Sequence, residues 1–332
     1  MPHAFPSRLS TVSIAPVQSS RNMEVFPLVA ESQDPPAYLL LSEALKKDFL
    51  QVEEISEHGS VPTLSAINTS DHLILILDGE EVAGAKQNRV LNTSALIAPR
   101  SKVTLPVSCT EQGRWHSSSR KFSDSGVMMA RKLRTAKHRS VTESLKRGAG
   151  PKSDQHEVWQ EIAALDKDAG THSPSSAMKD TYTSREQQLK EFCDSFPTIE
   201  GQCGLAVRLD GRIEGVDLVS RSEAYEGLHD RLLRSYAIEA LVTARRHSSA
   251  PKTDPEDVAT FLSSTEGAEV SEFPPVGVGS DLRIQSPSVQ GATLEFEETA
   301  IHLSLFPNRE SEAGPEAPRF SRSSVRRRRR HF

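Results

Sequence analysis

Residues 204–219 set two strand-like runs, Gly204 to Leu209 and Arg212 to Val219, on either side of an Asp210-Gly211 pair. An Asp-Gly pair between apolar runs favours a two-residue hairpin, because both central positions of that turn need positive φ. The chain therefore has to contain an antiparallel ladder. Ser222 then caps a long helix carrying Tyr225, Leu228, Leu232, Tyr236 and Leu241 near 3.6-residue spacing.

The same two periods recur along the chain. Ser10 to Val17 and Met23 to Val29 read as strands. Ala37 to Leu50 reads as a helix, opened by Asp34-Pro35-Pro36, with Leu41, Leu45 and Phe49 on one face. Gln51 to Ser56, Thr63 to Asn68, Leu73 to Leu77, Thr93 to Ala98 and Lys102 to Val107 follow as strands. The continuously apolar Leu73 to Leu77 is the central one. The middle turns helical: Ser125 to Lys146, then Asp154 to Leu165 behind a capping box, and Ser184 to Phe196 behind another, with residues 166–182 as a loop between them. A short helix begins at Asp254-Pro255, and strands return at 281–286, 292–296 and 300–306. The pattern predicts an α+β fold: a curled antiparallel β-sheet or small β-sandwich, barrel-like in its core and flanked by several α-helices. One domain over residues 10–306 is expected, with a flexible N-terminus (1–9) and a disordered, Arg-rich tail (307–332).

Composition narrows the class. Apolar residues make up 36% of 332 and aromatics 5%, below the globular average, so polar loops dilute the core. Three scattered cysteines and no CxxC pair argue against a disulfide framework or a zinc ribbon. A reducing, cytoplasmic setting is expected. No apolar run reaches the roughly 20 residues a spanning helix needs, so no membrane role is expected. The first 23 residues have Arg8, Arg21 and no acid, as transit peptides do, but Pro2, Pro6 and Pro16 interrupt an amphipathic helix there. Seven arginines and no acid stand in residues 319–332; removing them takes the net charge from −5 to −12. An acidic body repels nucleic acid. The tail can contact acidic partners or nucleic acid, or be a solvated end.

The densest chemistry lies between Gly79 and Trp115. Gly79-Glu80-Glu81 leads into Gly84-Ala85-Lys86-Gln87-Asn88-Arg89, and Ser108-Cys109-Thr110-Glu111-Gln112-Gly113-Arg114-Trp115 follows the next hairpin. If the strands between them pair, both runs leave the same sheet end. Lys86, Arg89 and Arg114 could then hold a phosphate. Gln87, Asn88 and Gln112 could read a base or ribose, and Trp115 could stack on a ring. Glu81 and Glu111 are the candidate catalytic carboxylates, as general bases once tuned by burial. The same residues can equally be paired charges locking a hairpin.

The runs GEEVAGAKQNR (79–89) and LPVSCTEQGRW (105–115) resemble the ARG-and-rhodanese-phosphatase-superfamily-associated protein domain. So do GLAVRLDGRIEGVDL (204–218), Gly277 to Arg283 and Ala300 to Phe306. The resemblance spans about residues 10–306 as one unit. It implies a role around ADP-ribose or NAD-derived nucleotides, as a binder or a processing enzyme. It also implies that Glu81, Lys86, Gln87, Arg89, Cys109, Glu111, Gln112, Arg114 and Trp115 stand at its motif positions. The region 120–182 and the arginine tail match less well or not at all.

Other chemistries have weaker support. Cys109 lacks a histidine close in sequence. His58, His72, His116 and His302 are isolated, with no metal-ligand spacing, so no metal site is expected and no cofactor is named. GxGxxG, GxxxxGK[ST] and GxSxG are absent. Two readings remain: a protein that handles a small anionic ligand such as a nucleotide, or a non-catalytic interaction module braced by its polar cluster.

Overall fold

The computed structural model describes residues 3–30, 35–55, 62–114, 121–243 and 256–309. The hairpin lies at the middle of the largest sheet. Its strands Gln202–Leu209 and Arg212–Val219 pair from Gly204↔Leu218 to Leu209↔Arg212, and Asp210 and Gly211 take φ of 48° and 77°. In spatial order the sheet runs Val12–Ile14, Met23–Ala30, Gln202–Leu209, Arg212–Val219, Thr299–Pro307, Val289–Phe296, Ser280–Gln285, Glu269–Phe273. A six-stranded antiparallel sheet links Phe122–Met128, Glu80–Gly84, Arg89–Leu91, Lys102–Cys109, Thr63–Asn68 and Leu50–Glu54. A four-stranded sheet joins Val276–Gly277, Ala95–Ile97, Leu73–Ile76 and Tyr38–Leu40, with parallel pairing at both ends. The fold is α+β with a curled, mostly antiparallel sheet.

Period-two alternation sends the large sheet's side chains into two cores. Leu205, Val207 and Val219 pack towards the helix Ser222–Thr243. Ala206, Val216, Leu218, Leu303 and Leu305 form a second core with Phe5 and with Val258 and Leu262 of the helix Glu256–Ser263. A third core fills the space around Ile74, Ile76, Leu91 and Leu105. Among the described residues, no helix is long and apolar enough to cross a membrane.

Several elements differ from the sequence reading. Residues 37–50 split into the strand Tyr38–Leu40, the helix Leu41–Lys46 and a strand beginning at Leu50. The Glu43 carboxylate accepts the Leu40 N–H at 2.9 Å and so starts the helix there; Asp34 lies outside the described residues. Residues 122–128 are a strand on Glu80–Gly84, bulged at Gly126, and the helix starts only at Arg131. Asp154 does cap its helix, accepting from the amides of His156 and Glu157, but that helix runs on to Ala169 and ends on left-handed Gly170. The expected loop holds a further helix, Met178–Ser184. Ala4–Ser10 is also helical. The Glu295 carboxylate accepts the Ala4 and Phe5 N–H groups at 2.9 and 2.8 Å, and Pro6 sits in the first turn, where its missing donor does little harm.

Candidate functional site

The two polar runs do meet. Cys109 pairs with Arg89 and Val107 with Leu91 across adjacent strands, so the turn at 84–88 and the loop at 110–114 share one sheet end. Their charged groups face each other there. Arg114 donates to Glu111 through Nε at 2.9 Å and Nη2 at 2.6 Å, and through Nη1 to the Ala85 carbonyl at 2.8 Å. Glu111 also accepts from Ser175 Oγ at 2.9 Å and from the Asn88 N–H at 3.2 Å. Burial pushes its carboxyl up, but these donors, Arg114 first, hold it below the usual range.

Arg89 is fully buried, donating to Gln87 Oε1 at 2.9 Å with Glu54 at 4.0 Å. The Cys109 thiol donates to the same Gln87 oxygen at 3.0 Å, and burial pushes it up to about 11, so it is no thiolate nucleophile at neutral pH. Gln87 Nε2 reaches the Gln112 carbonyl at 3.4 Å, while the Gln112 side chain is exposed. Lys86 is half-buried. Trp115 lies outside the described residues. Glu81 is fully buried and accepts from Thr110 Oγ1 at 2.6 Å, and burial raises its carboxyl to about 7. The clefts outlined elsewhere among the described residues take their walls from other residues.

A second polar centre lies inside the molecule. Asp217, Asp281, Arg283, His302 and Ser304 stand on three strands of the large sheet, at alternate positions whose neighbours, Leu218, Leu282 and Leu303, face the opposite core. The helix Arg131–Lys146 turns Arg134, Lys137 and His138 towards them, and the turns at Asp78 and Thr93-Ser94 close the space. All of these residues are buried.

Arg134 grips Asp217 with two bonds, at 2.6 and 3.1 Å, and Tyr236 donates to Asp217 at 2.8 Å. Burial would raise the Asp217 carboxyl, but Arg134 and His302 hold it well below the usual carboxylate range. Lys137 donates to Asp78 and to the carbonyls of Leu91 (2.7 Å) and Asn92 (3.4 Å). Arg283 Nη2 donates to Thr93 and Asp281, each at 2.8 Å. His302 Nδ1 stands 2.8 Å from Ser94 Oγ, and its Nε2 stands 3.8 Å from Asp217 Oδ1. Burial pulls both His302 and His138 below the ordinary histidine range, so the two rings are neutral at pH 7.

These groups border a cavity of about 10 Å³, room for a single water-sized guest. Five buried polar atoms of its wall have no hydrogen-bond partner among the described residues: Arg283 Nε and Nη1, Thr293 Oγ1, His302 Nε2 and Asp78 Oδ2. The Asp217 carboxylate favours a proton on His302 Nε2, the atom facing it. The wall then offers donors at four of the five atoms and an acceptor at one. Such a wall suits a single oxygen atom, of a water or of a larger group.

Sequence reasoning passed over this centre. Arg134, Lys137 and His138 belong to a run that the sequence marks only as helical and mostly polar, and His302 looked isolated. The available signal was Asp217, Asp281, Arg283, His302 and Ser304, polar residues at alternate positions of apolar strands, all within runs that carry the family resemblance.

No curated protein and no solved structure matches this chain. A family model does match, over residues 11–306, and those residues include both polar centres. The chain belongs to the ARG and Rhodanese-Phosphatase-superfamily-associated Protein domain family.

Proposed function

We propose that this protein handles a small oxyanion-bearing ligand in its interior chamber and that the loop cluster at 79–114 is a brace. One observation carries the reading: Arg283, 1% exposed, lines this cavity with Thr293 and His302, and two of its nitrogens, Thr293 Oγ1 and His302 Nε2 have no hydrogen-bond partner among the described residues. A buried guanidinium with unmet donors is costly unless a guest meets them. Two guanidinium groups (Arg134, Arg283) stand near three carboxylates (Asp78, Asp217, Asp281), and burial pulls Lys137 well below the ordinary lysine range, so the direction of the donors rather than an excess of positive charge selects the guest. The cavity takes one oxygen atom as it stands, so a phosphoryl or carboxylate group of a ligand such as a nucleotide reaches these donors only where the wall gives way to it.

The expected ligand roles of Lys86, Gln87, Asn88, Arg89, Gln112 and Arg114 give way here to bracing, since Arg114 and Arg89 face Glu111, Gln87 and Glu54. Residues 10–306 are read as one domain. A cytoplasmic setting is consistent with three buried free cysteines.

Calorimetry on the full chain with orthophosphate, AMP, NAD and ADP-ribose tests this. Heat from at least one is expected, weakened at least tenfold in Arg283→Lys and Thr293→Val and unchanged in Lys86→Ala. No heat from any of the four, or a loss through Lys86→Ala alone, overturns the reading.

A further inference from the structure

We infer that the side chains of Lys137 and Asp78 condense in the folded chain, forming an isopeptide amide with loss of one water. The site is a self-modification and needs no guest in the chamber.

Lys137 Nζ lies against Asp78 Oδ1, although the two residues are 59 apart in the chain. Both side chains are buried, at 0% and 4% exposure. Burial pulls the Lys137 amine well below the ordinary lysine range, which favours its uncharged, nucleophilic form. The nitrogen also donates to the carbonyls of Leu91 at 2.7 Å and Asn92 at 3.4 Å. Those two bonds use both hydrogens of a neutral amine and leave its lone pair for Asp78. The carboxyl has an unmet atom: Asp78 Oδ2 has no hydrogen-bond partner among the described residues, and the His138 ring, 3.8 Å away, is beyond hydrogen-bond reach. A buried ion pair with such an oxygen is costly. Condensation removes that oxygen and both charges.

The two groups are also held in place. Asp78 donates its N–H to Ser94 Oγ at 2.9 Å, and Lys137 stands inside the helix Arg131–Lys146, which Arg134 ties to Asp217 at 2.6 Å. Fixing two reactants in contact can match an effective concentration of about 10⁵ M or more. Exclusion of bulk water protects the product from hydrolysis.

The step balances without a co-reactant. In the neutral pair, the shared proton sits on Asp78 Oδ2. Nζ attacks Cγ, the N–C bond forms, and the Cγ–Oδ2 bond breaks. Oδ2 leaves as water with its own proton and one from the amine. Oδ1 becomes the amide oxygen, and the remaining N–H still faces the Leu91 carbonyl. Asp78 lines the cavity that has room for a single water, the size of the product.

Intact mass and peptide mapping of the unfolded, proteolysed full chain test this. The expected result is a mass one water below that of the sequence and a branched peptide carrying Asp78 and Lys137. Lys137→Arg and Asp78→Ala should both lose the branch and regain the water. The Asp78-Gly79 pair can lose water on its own as a succinimide, a reaction that needs no lysine. A water loss that persists in Lys137→Arg, or that maps to Asp78-Gly79 without Lys137, therefore overturns the inference. So does a wild type at its full sequence mass, a result that stands whether or not the variants fold.

Discussion

Glu81 has no accessible surface, and its carboxyl is raised to about 7 by burial, against the pull of Thr110, Ser125 and Lys179. The folded protein therefore holds a proton there that the unfolded chain, near 4.5, gives up earlier. Between those two values the native state binds more protons than the unfolded state, so Glu81 favours folding less and less as pH rises. A gap of roughly 2.5 pH units corresponds to about 3 kcal/mol. Wild-type stability alone will not isolate this. His138 and His302, lowered by burial, act in the opposite sense, because below their ordinary range the unfolded chain takes up protons that the native rings refuse. The difference between wild type and Glu81→Gln cancels both histidines. Urea unfolding at pH steps from 4.5 to 8 should show the glutamine variant gaining about 3 kcal/mol relative to wild type across that range, most of it before pH 7. A difference that stays constant with pH refutes the reasoning. Glu80, also fully buried and raised to about 6, serves as an internal check. Its glutamine variant should shift over a narrower range that ends lower.

Two further outcomes follow from the buried charges. Arg134→Met leaves Asp217 in the core without its guanidinium partner, held by Tyr236, and should lower the unfolding free energy by about 3–5 kcal/mol, whereas the double variant Arg134→Met with Asp217→Leu should recover most of that loss; urea titration reads both. Cys109, buried and raised to about 11, should resist iodoacetamide at pH 8 in the native protein and react once urea unfolds it; rapid native labelling would contradict its placement beside Gln87.

Much of the sheet was legible in the sequence because its signals are local. Asp210-Gly211 demands positive φ at both positions, and the alternating residues around it settle the faces. The meeting of the Gly84–Arg89 and Thr110–Arg114 runs was legible too, since antiparallel pairing of the strands that border them brings Arg89 opposite Cys109. Two kinds of feature were not. The first is competition between near-equal local preferences: Tyr38–Leu40 has apolar residues that suit a helix face as well as a strand, and parallel pairing with Leu73–Leu75 decides for the strand. The second is polarity inside. In the helix Arg131–Lys146, Leu133, Val141 and Leu145 are buried, yet so are Arg134, Lys137 and His138, because Asp217 and Asp78 wait for the first two on other elements. Hydropathy reads a charged residue as outward-facing unless its partner is known, and those partners are 83 and 59 residues away.

The turn after Leu73–Ile76 ties the two polar centres together. Asp78 faces the chamber, holding Lys137 and presenting its N–H to Ser94. Three residues on, Glu81 reaches Thr110 in the loop cluster, while Glu80 accepts from Arg231 at 2.6 Å and, through its other oxygen, from the Leu77 N–H at 2.7 Å. Gly79 makes the change of direction possible. Its φ of 87° suits glycine, and a Cβ there would lie 3.1–3.2 Å from Met128 and from the stem of Arg134. A residue that holds a lysine through its carboxylate and a serine through its N–H has to be placed to within a fraction of an ångström. Here that placement comes from neighbours anchored in the braced cluster and in the helix Ser222–Thr243. The paired charges of the loops thus have a structural use, because through Glu81 and Thr110 they hold the turn that carries Asp78.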